Sequence, residues 1–311
     1  MEEFETYRPL LFSIAYRMLG SACDAEDMVQ ESYLRYRTAQ EPEIRSLKSY
    51  LTTIITRLCL DELKSARVTR EQYLGSWLPE PVLTGDMAST LAERETLSFA
   101  FLILLESLTP AERAVFILRE AFEYAYEAIG EIIGEQPAAC RQLFHRAQER
   151  LAAHQRRFAP SLEAQRELVG RFLVATESGD VHVLTELLAR DVVAWSDGGG
   201  KVSAAIRPIY GQDHVLRFVQ GLARKSLSGL AISTETINGA PAILLWSHAP
   251  AGQETGAARY WLYMVTVFQI ANGQIHGIYG VLNPDKLAYL QRQLQARGDA
   301  PVPFASSPLD S

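Results

Sequence analysis

No stretch of this chain reaches the roughly 18 uninterrupted apolar residues that a membrane-spanning helix needs. Its start, MEEFETYRPLLFSIAYRML, has none of the basic lead-in of a secretory signal. Neither a membrane-embedded nor an exported protein is therefore expected. Cysteine is scarce: Cys23, Cys59 and Cys140 lie far apart and show no metal-ligand spacing. An odd, scattered set suits buried free thiols in a reducing cytosol, with no metal and no other cofactor. Net positive charge is missing too, since 30 Lys and Arg face 37 Asp and Glu for a net charge of −7. That excludes a nucleic-acid binder held by bulk charge alone. Glycine is nearly absent from the first half, where residues 1–160 hold 5 of the 20. The change from helical periodicity to strand and turn signals falls near Ala159-Pro160, and 311 residues suffice for two or three domains.

What the first half does hold is locally sorted charge. Arg141, Arg146, Arg150, Arg156 and Arg157 stand against one acid, Glu149, whereas Glu26, Asp27 and Glu31 form an acidic patch upstream. Small basic faces for DNA and an acidic face for a second protein would give this pattern, as would mixed solvated helix faces. In EYAYEAIGEIIGEQPAACRQLFHRAQERL, a helix over Glu127–Ile133 is predicted to bury Ala128, Ile129, Ile132 and Ile133. Gly134 suits the turn and Pro137 the first turn of a second helix. Leu143, Ala147 and Leu151 share one face of that helix, and Ala138, Arg141, Gln142, His145 and Arg146 the other. This is the pattern of a helix-turn-helix whose second helix offers Arg and Gln to base edges; Arg-rich helical hairpins also occur on ordinary surfaces.

Upstream, a helix over residues 5–20 turns Leu10, Leu11, Ile14, Met18 and Leu19 inward and stops at Gly20. A second begins at Asp24-Ala25-Glu26-Asp27, with carboxylates where the helix dipole favours them. A third, Leu47–Ala66, follows a polar loop and carries Arg45, Lys48, Thr52, Thr53 and Arg57 at or before its early turns. Such a surface can hold unpaired bases by hydrogen bonding and by stacking on Tyr50, and a plain three-helix bundle explains the apolar pattern equally well.

DAEDMVQESYLRY (Asp24–Tyr36) and SYLTTIITRLCLDELKSAR (Ser49–Arg67) resemble region 2 of the bacterial extracytoplasmic-function sigma factors, group 4 of the sigma-70 family. LESLTPAERAVFILRE (Leu105–Glu120) with the helix-turn-helix resembles their region 4. The resemblance implies that Asp24, Glu26, Asp27, Gln30 and Glu31 dock on core RNA polymerase at its β′ clamp, with the β flap as a further partner surface. It implies that Arg45, Lys48, Thr52, Thr53 and Arg57 serve the −10 element, with a flipped base captured near residues 41–48. It implies that Ala138, Arg141, Gln142, His145 and Arg146 serve the −35 element, and that no residue is catalytic.

The connection between these regions contains Trp77-Leu78-Pro79-Glu80-Pro81, too apolar for a purely solvated spacer. After residue 160, helical stretches at 163–178, 180–188 and 212–223 precede strand-like runs at 192–196, 230–237, 242–247, 258–270 and 274–282. Asn238-Gly239 and Asn272-Gly273 mark hairpins. Helices followed by an antiparallel meander predict an α+β domain, which resembles the SnoaL-like, nuclear-transport-factor-2-like cone. Trp195, Asp197, His214, Tyr260 and Trp261 are its pocket candidates, for an unknown small ligand. Asp197-Gly198-Gly199-Gly200-Lys201 lets backbone approach a partner closely, or simply forms a turn. Asn283-Pro284-Asp285-Lys286-Leu287 reads as a capped helix start.

The expected fold is thus multidomain: two all-α sigma domains followed by an α+β SnoaL-like domain. The expected boundaries are 1–70 for region 2, 71–91 for the linker, 92–158 for region 4, 161–297 for the SnoaL-like domain and 298–311 for a disordered tail. The Trp77–Pro81, Asp197–Lys201 and Asn283–Leu287 strings also resemble those of one sigma subgroup with such an extension. They are expected to form one interdomain contact that tunes promoter output in cis. That resemblance implies a cytoplasmic protein with promoter DNA and polymerase as partners, no membrane and no separate anti-sigma factor. Two other readings use the same residues: a SnoaL-like enzyme with a helical accessory domain, and a freestanding helix-turn-helix regulator.

Overall fold

The computed structural model describes residues 2–38, 46–71, 73–84, 97–152, 160–226, 230–248 and 260–298. They fall into two compact units, one joining Met1–Gln72 to Ser89–Arg156, the other joining Tyr73–Ala88 to Arg157–Ser311. Most of the segment expected as a spacer therefore belongs with the C-terminal unit.

In the first unit, α1 (Glu2–Leu19) ends at Gly20, whose φ of 68° a side chain would resist. Helices α2 (Ala22–Thr38) and α3 (Leu47–Glu71) follow. Leu11, Ile14, Met18, Val29, Leu51 and Ile55 are buried at helical spacing, so three amphipathic faces share one core. Then come α4 (Phe99–Leu105), α5 (Pro110–Glu120), α6 (Tyr126–Ile133) and α7 (Pro137–Ala152). Thr109 and Glu112 close a capping box on α5, with Pro110 in its first turn. Gly134, at φ 79°, ends α6. Ile129 and Ile132 join Val115, Leu118 and Cys140 in the core, while Ala128 and Ile133, expected to be buried, are only partly so. The two halves pack on each other, with α3 against α5 and α6.

The second unit runs α8 (Leu162–Ser178), α9 (Val181–Leu187), β1 (Leu188–Asp197), β2 (Ile209–Tyr210), α10 (Gln212–Ser226), β3 (Ala231–Ile237), β4 (Ala240–His248), β5 (Tyr260–Ala271), β6 (Gln274–Val281) and α11 (Pro284–Arg297). Its sheet order is β2-β1-β6-β5-β4-β3. Strands β3 to β6 form the expected antiparallel meander, but β1 pairs with β6 in parallel, so the sheet is mixed. Hairpin turns report only on strands adjacent in sequence; a parallel pair needs a long crossover that leaves no local signal. Both Asn-Gly turns have positive φ at both residues, as type I′ requires.

One sheet face packs Ile243, Met264, Phe268 and Ile278 against Phe172, Leu184 and Val215 from the preceding helices. Alternate residues Leu244, Val265, Val267 and Val281 are also buried, and α11 packs on β5. Both faces are thus covered. No described helix is long and apolar enough to cross a membrane.

Candidate functional site

On α2, Asp24, Asp27 and Gln30 are exposed along one stripe, with Glu26 and Glu31 half-buried beside them. The fold therefore brings these five together on one face. Glu26 is held by Arg8 at 2.6 Å and Glu31 by Arg35 at 2.9 Å, which leaves the solvated end of the stripe acidic. Leu34, exposed on the same stripe, was not singled out by sequence reasoning.

On α7, Ala138, Arg141, Gln142, His145 and Arg146 are all exposed on one side, opposite Cys140 and Ala147 in the core. Arg141 lies 5.5 Å from the Tyr126 ring centroid, and His145 lies 3.4 Å from Glu149. The buried Glu112 caps α5 and also accepts from Arg150 at 2.6 Å, with Arg146 at 3.9 Å, so one carboxylate ties α7 to α5.

The α3 residues meet a different environment. Arg57 donates from Nε to the Ile132 carbonyl at 2.9 Å and from an η nitrogen to the Glu131 carbonyl at 3.1 Å, satisfying acceptors left open at the end of α6. Thr52, fully buried, shares a 3.0 Å hydrogen bond with the Tyr124 hydroxyl, and Lys48 sits 5.9 Å from the same ring. Thr53 turns back on the Ser49 carbonyl at 2.8 Å. Arg45 lies outside the described residues. Thus Lys48 and Thr52 meet Tyr124 in the loop before α6, and Arg57 meets the end of α6, the first helix of the helix-turn-helix. Tyr124 is placed by Glu123, whose φ of 57° lets the Tyr124 amide reach back to the Leu118 carbonyl at 3.0 Å. Sequence reasoning passed over both residues because a non-glycine positive φ leaves no mark in the sequence.

In the second unit, the Trp77–Pro81, Asp197–Lys201 and Asn283–Leu287 strings come together inside one compact unit, and not between two as expected, around Asp197. Its Oδ1 accepts from the Tyr73 hydroxyl at 2.6 Å and the Gly199 amide at 3.1 Å. Its Oδ2 accepts from the Leu78 amide at 2.9 Å and from Lys286 Nζ at 2.7 Å. Lys286 also donates to the Leu78 carbonyl at 2.5 Å and lies 4.2 Å from the Trp77 ring centroid. Asn283 caps α11 through the Asp285 amide and donates to Tyr73. Lys201 pairs with Asp285 across the surface at 2.5 Å. The glycines follow from this crowding. A Cβ on Gly199 would collide with the Asn283 side chain, and one on Gly198 with the Val202 carbonyl. Burial, and then the hydrogen bond to Asp197, push the Tyr73 hydroxyl above its ordinary pKa of 10.0. Tyr73 lies outside the three strings, and only the fold reveals it.

The five pocket candidates do not converge. Asp197 is saturated in this clamp, and Trp195 stacks on Tyr279 at 4.8 Å. His214 is exposed near the Tyr210 carbonyl. Tyr260 lies against His248, and its neighbour Trp261 is 41% exposed. The expected pocket is thus corrected: these residues have separate surroundings.

An acidic-faced three-helix bundle, joined to a helix-turn-helix through a linker built into an α+β cone, has the architecture of a sigma factor with a SnoaL-like extension. The family models Sigma-70 region 2 and Sigma-70, region 4 match residues 4–69 and 99–151. The ECF RNA polymerase sigma factor SigJ of Mycobacterium tuberculosis is 34% identical over 293 residues, covering 92% of each chain. The probable ECF RNA polymerase sigma factor SigI of the same organism is 35% identical over 75% of this chain and 88% of its own. The crystal structure of SigJ superposes with a TM-score of 0.74 at 33% identity, covering 92% of this chain and 98% of that one. This chain belongs to the extracytoplasmic-function RNA polymerase sigma factors.

Proposed function

We propose that this sigma factor docks on the β′ clamp of core polymerase through Asp24, Glu26, Asp27, Gln30 and Glu31, with region 4 at the β flap. The −35 element is read by Ala138, Arg141, Gln142, His145 and Arg146, and the −10 element by Arg45, Lys48, Thr52, Thr53 and Arg57. The charge pattern supports this division. An acidic stripe suits a basic protein partner, and a basic helix face suits duplex DNA. The chain acts in the cytoplasm without catalysis of its own, since polymerase performs the chemistry.

Output is controlled in cis, with no separate anti-sigma factor. The observation that carries this reading is the Asp197 clamp, in which the linker segment Trp77–Pro81 is held by the Asp197–Lys201 turn and the Asn283–Leu287 helix start. Within the first unit, Thr52 is bonded to Tyr124 and Arg57 to the end of α6, so their full use by promoter bases would break these α3–α6 contacts. The test is run-off transcription with purified core polymerase and the full-length chain. Promoter-dependent transcript should appear only when the chain is added, and Asp197→Ala should change its amount severalfold. Equal transcript from wild type and Asp197→Ala would remove the cis-control reading.

A further inference from the structure

The two Asn-Gly hairpins share a backbone but not their surroundings. Asn238 and Asn272 both have φ of 51°. Asn272 is exposed, whereas Asn238 is fully buried. The linker accounts for the difference. The Val82 amide donates to Asn238 Oδ1 at 3.1 Å, and the Asn238 amide donates back to the Val82 carbonyl at 3.0 Å. The Leu83 amide donates to Gln293 Oε1 on α11 at 3.0 Å, and Thr84 Oγ1 accepts from the Gly239 amide at 2.8 Å. A type I′ turn asks only for positive φ, so the Asn238 side-chain oxygen serves the linker rather than the turn. None of these bonds involves Asp197.

We propose that Asn238 and Gln293 form a second, separable latch on the linker, which sets how far apart the two promoter elements can lie. This rests on the promoter-reading function proposed above. The physical basis is reach. With the linker held through Thr84, the chain to Leu97 can span at most roughly 45 Å. Held only at Leu78 by the Asp197 clamp, it can span roughly 65 Å. Release of the second latch alone thus moves the last anchored point from Thr84 back to Leu78 and frees about 20 Å more of chain to reorient. Asn238 is a positioning residue that acts through the linker.

Asn238→Gly is the discriminating variant, because glycine keeps the positive-φ turn while removing the side chain whose Oδ1 accepts from Val82. Asn272→Gly is the control. Full-length chains with core polymerase should be assayed on templates whose −10 to −35 spacing changes one base pair at a time. Relative to the optimal template, Asn238→Gly should use off-optimum templates about fivefold better than wild type, the worth of one net hydrogen bond. Asn272→Gly should match wild type. A spacing profile for Asn238→Gly that superposes on wild type, or an equal shift in Asn272→Gly, overturns the proposal. Hydrogen exchange at the Val82 and Leu83 amides should accelerate in Asn238→Gly, and unchanged exchange overturns the latch whatever the transcription result. A wild-type chain inactive on every template counts against the promoter-reading function instead.

Discussion

A carboxylate offers about four acceptor positions, and Asp197 fills four: Tyr73, Gly199, Leu78 and Lys286. Such saturation is what allows a charged pair to stay buried, and it makes removal of one partner costly. Asp197→Ala removes the carboxylate that balances the buried Lys286 ammonium, so the C-terminal unit should lose about 3–5 kcal/mol, measured by chemical denaturation. Tyr73 adds a pH signature. Its folded pKa is raised by burial and by Asp197, so the protonated hydroxyl is favoured in the fold. Its contribution is complete below the ordinary value of 10.0 and is lost as pH rises further, when the unfolded chain ionises first. Stability should therefore fall more steeply above pH 10 in wild type than in Tyr73→Phe, as a melting series against pH would show.

On helix α3, Thr52 and Arg57, proposed above for promoter bases, bind the Tyr124 hydroxyl and the carbonyl end of α6. Tyr124→Phe deletes one such bond without altering the packing shape. It should raise the population with α3 and α6 apart about fivefold, for a net hydrogen bond near 1 kcal/mol. Energy transfer between dyes on α3 and α7 would report the shift. The helices themselves were legible in sequence because their apolar spacing, Gly20 and Gly134 stops and Pro110 and Pro137 starts are local signals. The exposed faces of α2 and α7 were legible for the same reason. The contacts of α3 were not, because Thr52 and Tyr124 lie 72 residues apart and nothing local in either names the other. Asn238 shows the same limit: its turn was readable, and its grip on Val82 was not. The parallel β1–β6 pair escaped because hairpin turns describe only strands that follow one another.

At the scale of the whole chain, overall acidity and DNA reading are compatible because polymerase contributes much of the affinity. On the proposed function, basic surface is needed only where α3 and α7 would meet the promoter. Sequence resemblance supplied the two regions in order, and the fold adds that the linker between them is part of the cone, anchored near Asp197 and again near Asn238. In the free chain, two side chains proposed for the −10 element, Thr52 and Arg57, are hydrogen-bonded to Tyr124 and to the end of α6, next to the helix proposed for the −35 element. The most direct test of this account is energy transfer between dyes on α3 and α7, followed as core polymerase is added to the full-length chain. High transfer in the free chain that collapses on saturation with core polymerase is the predicted result. Transfer that stays unchanged, while the same sample supports promoter-dependent transcription, would contradict it.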